Sequence, residues 1–214
     1  MALVKKTELL LSILEGQPVI PVIKLDDLSA AVPLARALAR GGLPAIEITL
    51  RTPSAIDAIR LVADEVEEAI VGAGTILSAR QYDQAVDAGA KFIVSPGTTI
   101  ELLEAARSSS VPFLPGANTP SEIMSMREEG YSVMKFFPAE AAGGAKFLSS
   151  LASPLPAIRF CPTGGVSPSN ARDYLKLPNV LCAGGSWVAP KDKVASGDWA
   201  GIEALARDAA ALPR

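Results

Sequence analysis

Lys135 lies in the run VMKFFP and Glu47 in AIEITLR, each a charged residue inside an otherwise apolar, β-type stretch. A charge carried within a buried strand is costly unless it is paired or used. Met134, Phe136 and Phe137 surround Lys135 in sequence, an apolar setting that favours a free amine over an ammonium. A free amine attacks a ketone to form a Schiff base, and a carboxyl group moves the protons that such a reaction needs. Strand alternation sets Glu47, Thr49 and Arg51 on one face and Ile46, Ile48 and Leu50 on the other. The plainer readings are a structural Glu47–Arg51 contact or an outward-facing polar stripe on that strand, and a lysine snorkelling at a barrel rim. Among the other lysines, Lys24 ends an apolar run but leads into LDDL, which reads as solvated, and Lys91 begins a strand rather than ending one.

A second kind of chemistry is suggested by two glycine turns, Gly164-Gly165 in CPTGGVSPSN and Gly184-Gly185-Ser186 in CAGGSW. Glycines let backbone N–H groups approach an anion closely, and a following helix adds its dipole. Tight packing without a ligand is the plain alternative. Both turns follow strand-like runs late in the chain. Together with Lys135 they suit a substrate that carries a phosphate at one end and a carbonyl at the other.

Several classes of chemistry are excluded by what the sequence lacks. None of the 214 residues is histidine, which removes His-based triads, His acid–base pairs and the usual imidazole ligands of zinc and non-haem iron. Neither a metal nor an organic cofactor is expected. Cys161 and Cys182 are too few for a disulfide framework and too far apart for a C-x-x-C motif, so they read as two buried thiols in a reducing compartment. With 20 basic and 23 acidic residues the net charge is −3, and no basic cluster invites a nucleic acid. The N-terminal run MALVKKTELLLSILEG is interrupted by Glu15 and no small-residue cleavage site follows. No apolar stretch reaches the roughly twenty residues of a membrane span. A cytoplasmic protein with no membrane partner is the expectation.

The elements that must hold these residues recur with a regular rhythm. Strand candidates begin at Pro18, Ala45, Ala69, Lys91, Pro112, Ser132, Ala157 and Asn179, with helical patterns between them. Thr52-Pro53, Thr119-Pro120 and Ser167-Pro168 each place a capping hydroxyl before a proline suited to a first helical position. Thr119 with Glu122, and Thr98 with Glu101, have capping-box spacing. Leu28, Val32, Ala35 and Leu38 form one apolar stripe, and Ile202, Leu205, Ala209 and Leu212 another. Half the residues are hydrophobic but only 5% are aromatic, so Ala, Val, Ile and Leu must build the core. No linker or charge run divides the chain. Eight βα units in one domain spanning residues 1–214 predict a (β/α)8 TIM barrel with an extra N-terminal helix near residues 5–15. A doubly wound open sheet is the alternative, and usually has fewer, less evenly spaced units.

The same segments carry a resemblance. EITLRT, IVGAGTIL, IVSPGTT, MKFFPAE followed by a Gly-Gly pair, RFCPTGGVSPSN and CAGGSWVAP together resemble the 2-keto-3-deoxy-6-phosphogluconate (KDPG) aldolases, class I aldolases of the (β/α)8 type. The resemblance runs from about Pro18 to Pro190. It implies that Lys135 forms the Schiff base, that Glu47 is the general acid and base, and that Arg51 and Thr75 hold a substrate carboxylate. Pro96 and Phe137 would shape a pyruvate pocket, and Thr163 would line the substrate channel. Gly164, Gly165, Gly184, Gly185 and Ser186 would surround the phosphate. Ala142 stands where a polar residue would be expected. Related aldolases act on the galactose-derived epimer and on 4-hydroxy-2-oxoglutarate (KHG), and share the pyruvate half. The implied substrate is a phosphorylated keto-deoxy sugar acid, cleaved to pyruvate and glyceraldehyde 3-phosphate, and the implied assembly is a homotrimer. Two rivals remain at this stage: a phosphosugar isomerase or epimerase on the same fold, and a non-catalytic sugar-phosphate-binding barrel.

Overall fold

Strand alternation in this chain separates two cores. The computed structural model describes residues 3–213. Its strands are β1 (Val19–Ile23), β2 (Ala45–Thr49), β3 (Ile70–Gly74), β4 (Ile93–Val94), β5 (Phe113–Leu114), β6 (Val133–Phe136), β7 (Arg159–Pro162) and β8 (Ala183–Gly185). All ladders are parallel, and the order β5-β4-β3-β2-β1-β8 follows the chain around one sheet, with β6-β7 as a second. Bridges Gly116–Lys135, Phe160–Val180 and Thr163–Gly184 join the two sheets at both seams. The eight strands therefore close into a barrel, the architecture that the βα rhythm predicts.

Inward residues form one apolar cluster, in which Ile20, Ala45, Phe92, Val94, Leu114, Val133, Cys161 and Cys182 meet. Gly72 has no side chain because a Cβ there would lie 2.4 Å from the Phe92 ring. Their neighbours Ile46, Ile48, Ile93, Met134 and Phe136 point outward into the larger core under the helices. Each large aliphatic side chain buried there contributes roughly 1.5–3 kcal/mol.

The helices are α1 (Leu3–Leu14), α2 (Ala31–Arg40), α3 (Ala55–Glu65), α4 (Ala79–Asp87) and α5 (Ile100–Ser108). They continue with α6 (Pro120–Glu128), α7 (Gly144–Leu151), α8 (Ala171–Leu175), α9 (Lys191–Ser196) and α10 (Trp199–Ala210). Leu10, Ile13 and Leu14 of α1 join the inner cluster beside Ala45 and Val133, the first residues of their strands, so α1 plugs the N-terminal end. The Thr119 capping box opens α6 as its spacing predicts. Three other helix starts differ. Thr52 donates its hydroxyl to the Leu25 carbonyl at 2.7 Å, and α3 begins only after Ser54. Ser167 is occupied in a turn with Asn170, which accepts its N–H at 2.8 Å, so α8 begins at Ala171. Thr99 rather than Thr98 caps α5, accepting from the Leu102 N–H. Among the described residues no helix is long and apolar enough to cross a membrane.

Candidate active site

Glu47 and Lys135 sit on the inner faces of β2 and β6, each one alternation above an apolar inward residue, Ala45 and Val133 respectively. They meet inside the barrel. The Lys135 Nζ donates to Glu47 Oε1 at 3.0 Å and reaches Oε2 at 3.5 Å. Room for the carboxyl group comes from Gly74 on β3, where a Cβ would lie 2.0 Å from Oε1. The side chains are only 3% and 4% exposed. A pair this deeply buried offsets its desolvation only through close geometry, and removing either partner strands a charge.

The surroundings of Lys135 differ from the apolar shield read from its sequence neighbours. Met134 and Phe136 point away from it into the outer core. Its company is Glu47, the Phe137 ring 5.6 Å from Nζ, and Cys161, its register partner on β7. The Cys161 thiol lies below its ordinary range, chiefly through a hydrogen bond with Cys182, against the opposing effect of burial. Both cysteines are buried thiols outside any disulfide.

Two residues beyond Glu47 and Lys135 along the chain, Thr49 and Phe137 line a cleft of about 680 Å³, within the range of small-molecule sites, and the pair itself lies beneath that lining rather than in it. Thr49, Arg51, Phe137, Thr163, Gly164, Gly165, Gly184 and Ser186 line it. The Arg51 Nε donates to the Thr75 hydroxyl at 3.0 Å. Thr75 holds φ at 57°, a left-handed backbone that is strained for a β-branched residue and aims its hydroxyl at the guanidinium. Gly164 and Gly165 have φ of 98° and 78°, so their turn depends on glycine. Gly184 faces inward against Thr163, with 2.2 Å between an added Cβ and the hydroxyl. Gly185 is turned outward to the Trp187 ring and does not line the cleft. Pro96, just past β4, lies against Gly116, whose added Cβ would be 2.4 Å from the Pro96 carbonyl oxygen. Ala142 is half-buried against the outer core, outside the cleft lining.

Four charged residues also line the cleft: Lys24, Asp26 and Asp27, which the sequence presents as a solvated run, and Lys191, which it does not single out. Lys24 is paired to Asp26 at 2.8 Å, and this hydrogen bond lowers the Asp26 carboxyl below its usual range, with a smaller contribution from Lys191. The signal was KLDD at a strand end, a charge run that resembles any solvated loop. Among the described residues no group of three or more Cys, Asp or Glu side chains is placed to hold a metal ion.

A closed (β/α)8 barrel with a buried amine and carboxyl group under a cleft at its C-terminal end defines the class: a barrel enzyme equipped for amine-based carbonyl chemistry. Comparison with known proteins agrees and narrows it. The family model for KDPG and KHG aldolase matches residues 10–205. The KHG/KDPG aldolase of Escherichia coli K12 is 52% identical over 198 residues, covering 92% of this chain and 93% of the relative. A KDPG aldolase from Legionella pneumophila, solved with pyruvate captured as a covalent carbinolamine, superposes with a TM-score of 0.92 at 42% identity, over 94% of this chain and 98% of that one. The aldolase of Zymomonas mobilis ZM4, solved with 3-phosphoglycerate, gives 0.91 at 46% identity, over 95% of each chain. The chain belongs to the KDPG and KHG aldolase family.

Proposed function

We propose that this chain performs the aldol cleavage for which its family is named through Lys135 and Glu47. The substrate is 2-dehydro-3-deoxy-6-phosphogluconate, and the products are pyruvate and glyceraldehyde 3-phosphate. The observation that carries the reading is the 3.0 Å contact between a buried amine and a buried carboxyl group inside the barrel, beneath the residues that line the cleft.

Passing one proton from Lys135 to Glu47 leaves a neutral amine, which adds to the C2 ketone. Loss of water gives an iminium, an electron sink for the pair released when the C3–C4 bond breaks. Glu47, again a carboxylate, takes the C4 hydroxyl proton as glyceraldehyde 3-phosphate leaves. The same carboxyl group returns a proton to C3 of the enamine, and water releases pyruvate and the free lysine. Arg51, oriented by Thr75, grips the planar substrate carboxylate with a fork of donors. Phe137 and Pro96 bound the pyruvate end, and Thr163 lines the path to it. Backbone at Gly164, Gly165 and Gly184, with the Ser186 hydroxyl, receives the phosphate, while Gly185 packs against Trp187. 4-Hydroxy-2-oxoglutarate shares the pyruvate half and is a second substrate.

An isomerase or a passive binding barrel would employ the glycine turns but leave the Lys135–Glu47 pair idle. The chain works as one barrel domain in the cytoplasm, where two buried thiols outside any disulfide suit a reducing compartment, and the resemblance carries with it a homotrimer. Pyruvate release from the phosphorylated substrate tests the activity directly. Equimolar pyruvate and glyceraldehyde 3-phosphate are expected, and folded protein that releases neither would reject the reading. Light scattering of the purified protein tests the trimer.

A further inference from the structure

Glu140 follows β6, is tied to the Gly164–Gly165 turn by its backbone and its stem, and reaches α8 with its carboxylate. Its backbone N–H donates to the Gly164 carbonyl at 3.1 Å, beside the Ala139 N–H that donates to the Thr163 carbonyl at 2.8 Å. Its aliphatic stem lies against Gly165, where an added Cβ would come within 2.6 Å of Glu140 Cγ. Its carboxylate accepts a hydrogen bond from the Tyr174 hydroxyl. Tyr174 belongs to α8 and is fully buried, one of the largest side chains in the outer core. Burial first, and then the nearby Glu140 carboxylate, holds that hydroxyl above its ordinary range, so it stays a donor at any working pH.

Glu140 itself is exposed, so without the tyrosine its carboxylate is free to swing. A mobile negative charge beside an anion-receiving turn is unfavourable, and the stem that supports Gly165 would move with it. The energetic sense of the contact is therefore directional: it draws the charge toward α8 and braces the turn from behind.

We propose that Tyr174 and Glu140 are positioning residues, a hydrogen-bonded strut that holds the Gly164–Gly165 turn in the shape that receives the substrate's phosphate; this rests on the aldolase reading above. Neither residue lines the cleft, so the strut acts only through the turn.

The test separates the two ends of the substrate. Tyr174→Phe and Glu140→Ala should raise KM for the phosphorylated substrate by roughly 3- to 10-fold, a fraction of one charge-assisted hydrogen bond. The kcat at saturation, the KM for unphosphorylated 2-keto-3-deoxygluconate and borohydride trapping of pyruvate should stay at wild-type values. Glu140→Gln keeps an oxygen acceptor for Tyr174 and should restore the wild-type KM. Glu140 is exposed, so its two variants carry the test even if Tyr174→Phe folds poorly. Equal shifts for the phosphorylated and unphosphorylated substrates, no shift for either, or Glu140→Gln behaving like Glu140→Ala would each overturn the strut. Wild-type protein that traps no pyruvate would remove the aldolase reading and with it the strut's purpose.

Discussion

Two lysines are buried in this barrel, one near each end, and only one of them is equipped for chemistry. Lys6 of α1 lies at the N-terminal end, where its Nζ donates to the Ala106 and Ser109 carbonyls at 2.6 and 3.1 Å. Those carbonyls close the end of α5, so the ammonium serves as a helix C-terminal cap. Nearby Gln17 behaves alike, donating to the Val19 and Ala45 carbonyls and accepting from the Ala45 N–H. Polar groups at this end are consumed by backbone. Lys135 meets instead a side-chain carboxyl group that can exchange a proton with it, under a cleft that admits a ligand. Burial alone does not activate a lysine. The partner and the access decide.

That contrast is broken most severely at Lys135. Lys135→Ala should abolish turnover, because no other described lysine lies against a buried carboxyl group beneath the cleft. A discontinuous assay on concentrated enzyme reads the residual rate. Glu47→Gln comes next: it preserves size but cannot accept a proton, so cleavage should slow by roughly 10²–10⁴-fold. Saturating kinetics beside a thermal melt distinguishes this from a pair that is only structural, which would lose stability and keep its turnover.

The opposite end sharpens the comparison. Leu14→Ala empties space in the plug and should cost about 2–5 kcal/mol in denaturant unfolding while the properly folded fraction keeps its kcat. Lys6→Met retains the stem but deletes two hydrogen bonds to the end of α5. Its expected cost is about 1–2 kcal/mol in the same unfolding measurement, with normal turnover. A Lys6→Met protein that folds normally and loses catalysis would erase the distinction between the two lysines.

Much of this arrangement was legible as pattern, and less of it as contact. The eight strands follow from apolar runs because side-chain alternation and βα spacing are local properties, and the shared face of Glu47 and Thr49 follows from the same rule, but that this face turns inward is settled only by barrel closure. Residue 47 and residue 135 are 88 positions apart, and only barrel closure brings them together. The expected apolar shield of Lys135 was misread for a related reason: its flanking residues alternate away from it. Helix starts at Thr52 and Ser167 slipped because tertiary and turn hydrogen bonds claimed the groups that local capping rules assign to the helix. Lys24, Asp26 and Asp27 read only as a solvated run because a charge run looks the same over solvent and over a cleft, and Lys191 carried no signal of its own.

Borohydride reduction in the presence of labelled pyruvate, followed by peptide mapping, tests the distinction between the two lysines most directly. The label should appear on the peptide containing Lys135 and on no other lysine, and Lys135→Ala should take up none. Stable label on Lys6, Lys24 or any other lysine in place of Lys135, or no label on folded active enzyme, would contradict the assignment of Lys135 as the nucleophile.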